Sequence, residues 1–180
     1  MTPGERKRLL DSYGSAPVIL YSVLRGFPKK MWLYRAAPDR WSIHEHVLHL
    51  ADSEAIEYIC SRRFIAEPGL PALSFDPSAW ASRLGYFHQN TREALQIITG
   101  LRRSTHRLLM SLRESLWHTA FDHSRHGKIN METWLEIQER HVPEHLDQMR
   151  ESYRDWLKLN PPRKSPSISP EGRPIAVVSS

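Results

Sequence analysis

A chain of 180 residues, 40% hydrophobic and 25% charged, suits one globular domain with a substantial core. No run of 18 apolar residues offers a membrane span, the charged opening MTPGERKRLLDSYG lacks a signal peptide's apolar region, and the lone Cys60 excludes an intrachain disulfide, so a reducing cytoplasmic setting is expected. The net charge of +5 arises from Lys and Arg interspersed with Asp and Glu, and no zinc-finger or RRM signature accompanies it, which makes nucleic acid an unfavoured partner.

In chain order, residues 4–26 read as a first helix broken into two pieces by Gly14 and Pro17, with Ser15 as cap of the second piece. Val18, Leu20, Tyr21 and Leu24 are its expected core contacts. A connection with a short helical turn near Lys29–Tyr34 follows. Ser42 and Glu45 form the S-x-x-E capping box of a second helix that runs to about Glu67, before Pro68, Gly69 and Pro71. Residues 68–88 form a long, aromatic connection of the length that is often functional or carries a short helix; its aromatics could cover a pocket, with packing against the bundle the commoner outcome. The third helix, from Tyr86 or Asn90 to Ser115, carries the seam Ala94, Ile98, Leu101, Thr105, Leu108 and Leu112. Arg102, Arg103, Arg107 and Arg113 read as its wet face. Leu116 to Ile129 is a connection, and Asn130 caps a fourth helix over Met131–Leu159, with Pro143 predicting a kink. The expected domain is a helical bundle over 1–159 with a Pro/Ser-rich tail over 160–180.

The chemistry concentrates in ERHVPEHLDQM. His141 and His145 are four residues apart and therefore stand one above the other on a helix, on the inward seam with Trp134 and Gln138. Two imidazoles so placed can reach one cation, as in other His-x-x-x-His helices, but need a further ligand. In a chain with ten histidines the spacing also arises by chance. WSIHEHVLHLADSE offers a third ligand in His49, although periodicity alone does not choose it over His46 or His44. Asp52, Glu54 and Gln138 are candidate acceptors for the ligands' second ring nitrogens. His123 and His126 could line a pocket mouth, although exposed loop histidines are the commoner case. No general base stands out, and no G-x-S-x-G, P-loop or Cys-His pairing is present.

WSIHEHVLHLADSE, the loop HGKIN and ERHVPEHLDQM together resemble the DinB-like (YfiT-like) metal-binding bundle superfamily, over residues 15–157. The match rests on the Trp-Ser start of the second helix, the His-Leu-x-Asp-x-Glu segment and the His-x-x-x-His-Leu terminal helix. Val142-Pro143-Glu144 between the last two histidines departs from the family's usual residues there. The resemblance implies an all-α four-helix bundle of up-down-down-up topology with a long connection between helices 2 and 3. It also implies a divalent metal, zinc, nickel or iron, on His49, His141 and His145, and a homodimer. The implied activities are metal-dependent thiol transfer with a low-molecular-weight thiol, or hydrolysis; the alternative is a non-enzymatic dimeric bundle that binds a partner or small ligand.

Overall fold

Each long helix begins at a side chain that satisfies its free amides. The computed structural model describes residues 1–67, 69–70, 72–123 and 125–161. In chain order it comprises α1 (Pro3–Arg25), α2 (Ile43–Ala66), the short α3 (Pro77–Arg83), α4 (Thr91–Met110), the single turn α5 (Glu114–Trp117), β1 (Ala120–His123), β2 (Gly127–Asn130) and α6 (Met131–Leu159). Thr2 with Glu5 and Ser42 with Glu45 form capping boxes for α1 and α2. The side chains of Asn90 and Asn130 cap α4 and α6.

Side-chain pairs establish how the long helices run. Arg6–Glu132 and Ser12–Glu139, with the Phe27–Tyr153 ring pair, make α1 parallel to α6. His44–Thr91, Glu54–Arg102 and Arg62–Ser104 make α2 parallel to α4. Glu57–Trp134 and His46–His145 make α2 antiparallel to α6. These relations require the up-down-down-up order. It is possible because the segment between α2 and α4 is long enough to return the chain to the same end of the bundle.

Two apolar clusters hold the bundle together. One gathers Leu20, Leu24, Met31, Ile43, Val47, Ile98, Leu146 and Met149; the other gathers Leu10, Tyr13, Phe64, Leu109, Phe121, Met131, Trp134 and Leu135. A buried polar layer separates them along α2, α4 and α6. Its centre is Arg102, 1% exposed, whose guanidinium meets the Glu54 carboxylate at 2.6 Å and lies over the Tyr13 ring. Arg102 is therefore not part of a wet face. The apolar seam of α4 is rotated toward Leu95 and Leu109, leaving Leu101 and Leu108 half-buried. Removing one member of a buried pair leaves an uncompensated charge. Arg102→Met is expected to lower the unfolding free energy by about 3–5 kcal/mol in urea titration, and adding Glu54→Gln should recover part of that loss.

Three further expectations are corrected. The first helix is unbroken: it starts at Thr2, not Ser15, and passes through Pro17. Its buried row Leu10, Tyr13, Ala16, Pro17, Leu20, Leu24 continues across the proline, so packing outweighs the roughly 3 kcal/mol that an interior proline costs. Val18, at 72% exposure, and Tyr21, at 40%, face outward. Gly14 serves close packing instead of interruption, since a Cβ there would lie 2.8 Å from the His106 ring. The third helix stops at Met110, with α5 a separate turn. The connection before α6 holds an antiparallel hairpin pairing Ala120 with Asn130 and His123 with Gly127, whose φ of +66° suits glycine at the tight turn. The tail expected over 160–180 lies outside the described residues beyond 161.

Candidate metal centre

α6 is a single helix from Met131 to Leu159 despite Pro143, so His141 and His145 keep their one-turn spacing. Pro143 itself is on the exposed side, where water can solvate the carbonyl its ring leaves unbonded. The antiparallel contact with α2 brings His49 opposite them. α2 is buried around its whole circumference from Ile43 to Ala51, which is why a histidine off its clearest apolar stripe still points inward.

One ring nitrogen from each of His49, His141 and His145 lies within 4.8 Å of the others. Nε2 of His141 and Nε2 of His145 are 3.1 Å apart. Two nitrogens on one tetrahedral cation at about 2.0–2.1 Å would stand roughly 3.4 Å apart. His49 Nδ1 is buried and makes no hydrogen bond to protein among the described residues, an orphaned lone pair or N–H of the kind that a native interior rarely leaves. The donor set fits a borderline cation such as zinc, nickel or iron.

The rings are held neutral. Burial lowers the pKa of His141 to about 3 and of His145 to about 4. His49 is lowered to about 2, by burial and then by the neighbouring His145 and His141. Neutral imidazole is the form that ligates, so protons compete poorly for these nitrogens near pH 7. Trp41 and Phe75 wall the group: Trp41 lies 4.7 Å from His49 and stacks on His145 at 6.2 Å, and Phe75 lies 6.0 Å from His49.

Among known proteins, the DinB superfamily pattern matches residues 16–149. The chain belongs to the DinB superfamily. A search of curated proteins finds no match. Among solved structures, the fold is similar to that of YfiT from Bacillus subtilis, with a TM-score of 0.79 at 18% identity over 87% of this chain and 90% of that one. YfiT is described as a probable metal-dependent hydrolase with an unusual four-helix bundle topology. No helix among the described residues of this DinB protein is long and apolar enough to cross a membrane.

The outer contacts of the three histidines differ from those expected. Asp52 accepts from the Tyr86 hydroxyl, Glu54 is taken by Arg102, and at Gln138 it is the backbone carbonyl that accepts from Arg102. None of these hydrogen bonds reaches a ring of the three. Instead His145 Nδ1 meets His46 Nδ1 at 3.0 Å and Gln148 Oε1 at 3.2 Å. If Nε2 of His145 offers its lone pair to a cation, Nδ1 carries the proton and donates it to His46 or Gln148. His46, lowered to about 3 by burial and then by His145, is neutral and able to accept. The sequence did contain the signal for His46: it sits three residues before His49, on an adjacent part of the same helix face. His44 has a structural task, bridging Thr91 and the Tyr86 carbonyl.

Two cavities open beside this cluster. One, of about 300 Å³, is lined by His141, Glu57, His123, Arg125, Phe75 and Glu144; of the two hairpin histidines at this pocket, His123 is buried, contrary to the exposed-loop expectation, while His126 is exposed. The other, of about 510 Å³, is reached through His46 and His145, and Trp41, Arg40, Gln148 and Glu151 form its walls.

Proposed function

We propose that this DinB-superfamily protein is a metal-dependent hydrolase whose divalent cation is held by His49, His141 and His145. The observation that carries the reading is the convergence of three neutral imidazoles, His49 and His145 buried and His141 half-buried at the wall of a cavity. A three-imidazole cation with open positions supplies a Lewis acid for a substrate oxygen and acidifies water. The chain's own contribution is orientation and exclusion. His46 and Gln148 hold the His145 ring, and Trp41 and Phe75 shield one side from bulk water.

A second reading, metal-dependent transfer involving a low-molecular-weight thiol, is favoured by one feature. Transfer needs room for two reactants, and the larger cavity meets the cluster at His145, on a wall that the smaller one does not share. Turnover of an ester probe without added thiol supports hydrolysis; turnover only when cysteine or glutathione is supplied supports transfer.

Protein purified gently without added metal is expected to carry close to one equivalent of a divalent transition metal by elemental analysis. Chelator should remove it and lower the thermal midpoint, because a ligand that binds only the folded state stabilises it by about 2.7 kcal/mol at one hundred times its Kd. Metal-free protein with a midpoint indifferent to zinc, nickel and iron would leave the non-enzymatic bundle as the better account.

A further inference from the structure

Glu54 and Glu57 are two carboxylates one turn apart on α2, and their surroundings differ. Glu54 is ion-paired with Arg102. Glu57 makes no ion pair with Arg or Lys among the described residues, and its side chain is 16% exposed at the wall of the cavity that His141 also lines. Carboxylates in contrasting environments at one site divide structural and proton-transfer tasks.

The two oxygens of Glu57 are not equivalent. Oε2 accepts the indole N–H of Trp134 at 2.7 Å. Oε1 faces Nε2 of His123 at 3.9 Å, too long for a direct hydrogen bond. That gap is one a water or a substrate atom can bridge. His123 Nδ1 accepts the backbone N–H of Arg125 at 3.1 Å, so in the neutral ring the proton is on Nε2, aimed at the gap. Burial, then His126 and Arg125, lowers the His123 pKa and keeps the ring neutral. The cavity thus holds an acceptor oxygen and an N–H donor facing each other beside His141.

We propose that Glu57 is the general base of this site and that the Nε2–H of His123 is the hydrogen-bond donor paired with it, an assignment that rests on the hydrolase reading. Glu57 removes a proton from a water in the cavity as the water oxygen forms a bond to the substrate's carbonyl carbon. The bond from that carbon to the leaving atom breaks, and Glu57 delivers the proton to that atom, which regenerates the carboxylate. The water's second hydrogen stays with the acid product. His123 Nε2–H steadies the oxygen nearest it without giving up its proton. The substrate class is a small carboxylic ester or amide, matched to a cavity of about 300 Å³.

The groups facing Glu57 set its proton affinity. Burial raises its pKa, and the charge of Glu54 on the same helix raises it further. The hydrogen bond from Trp134, the nearby Gln138 amide on α6 and the charge of Arg125 in the hairpin loop act the other way. Arg102 on α4 also feels the Glu57 charge, and His123 faces it from β1. Burial leads, so the carboxyl stands above the usual carboxylate range, closer to the working pH of a general base.

The test compares zinc-loaded wild-type protein, Glu57→Gln and Glu57→Asp on 4-nitrophenyl acetate, with zinc content measured for each and free zinc as blank. Glu57→Gln keeps an oxygen for Trp134 and should keep zinc and thermal midpoint while kcat falls about 100-fold or more. Glu57→Asp should retain part of the activity with a shifted acid limb in its pH profile. Independently of turnover, the ¹³C-labelled side-chain carboxyl of Glu57 should titrate above the ordinary glutamate range in the zinc-loaded protein. Unchanged kcat in Glu57→Gln overturns the assignment and spares the hydrolase reading, as does an ordinary titration of Glu57. Wild-type protein that holds zinc but turns over no faster than the blank overturns both. If Glu57→Gln fails to fold, the carboxyl titration alone decides.

Discussion

His141→Ala should abolish stoichiometric metal binding while leaving the bundle folded. Four-ligand structural zinc sites bind with roughly 10–16 kcal/mol, so one ligand's even share is about 2.5–4 kcal/mol, a loss of roughly 10²–10³-fold in affinity. His141 is the preferred target because it is half-buried at the cavity wall, so its truncation removes a donor without hollowing the apolar core. His145→Ala should lose at least as much, since His145 also contacts His46 and Gln148. His46→Ala is the graded comparison. It removes an acceptor for Nδ1 of His145 but no proposed ligand, and outer acceptors are worth about 10–100-fold in metal affinity. His44→Ala, with its ring engaged by Thr91 and the Tyr86 carbonyl, should leave affinity unchanged. Competition titration against a chelator of known affinity reads all four variants. Wild-type affinity in His141→Ala would refute the three-imidazole centre, and equal losses in His44→Ala and His46→Ala would refute the role given to His46.

What was legible in the sequence follows from the range of each physical signal. Caps are local: Ser42 with Glu45 and Asn130 marked the starts of α2 and α6 because the capping side chain bonds amides only two or three residues away. The four-residue spacing of His141 and His145 survives in space for the same reason. The partner helix is not a local matter. His44, His46 and His49 are all buried on a helix enclosed on every side, so no periodicity could rank them, and the family pattern was needed to single out His49. Arg102 illustrates the limit in the other direction. An arginine reads as solvated until a carboxylate 48 positions away, Glu54, is known to meet it. The hairpin escaped because each strand has four residues, too few for alternation to register, and its burial depends on packing against Phe64. Pro17 misled because its helical cost is local and visible, while the packing that overrides it is neither.

Lowering the pH from 7.5 to 5 should unfold the metal-free protein, and bound metal should postpone that transition. The cause is the set of neutral imidazoles. His46 and His141 are lowered to about 3 and His145 to about 4; His49 is lowered to about 2 and His123 in the same direction. In the unfolded chain these rings take up protons as pH falls through about 6.5. In the folded state they do not until far lower pH. Between those limits the unfolded state binds more protons, so stability rises with pH; it is fully present above about 6.5 and is lost on acidification toward 4. Each ring contributes at most about 1.4 kcal/mol per pH unit, or about 2 kcal/mol by pH 5. Even half of that, summed over His46, His49, His141 and His145, comes to about 4 kcal/mol, close to the lower end of the roughly 5–15 kcal/mol total stability of an ordinary domain. Glu57 and Asp52, whose pKa values burial raises, run the opposite way and offset part of the loss. Glu45 and Glu132, lowered by their arginine partners against the effect of burial, surrender their contribution only below the ordinary carboxylate range. The window between 4 and 6.5 therefore belongs chiefly to the imidazoles. Circular dichroism of chelator-treated protein across that range, with and without one equivalent of zinc, is the measurement. Because protons and cation compete for the same nitrogens, zinc should move the acid limb to lower pH, and His46→Gln should make the metal-free limb shallower by about one proton. A metal-free protein as stable at pH 5 as at 7.5 would mean that these rings can take protons without leaving the fold, and the neutral, pre-formed donor set would have to be abandoned.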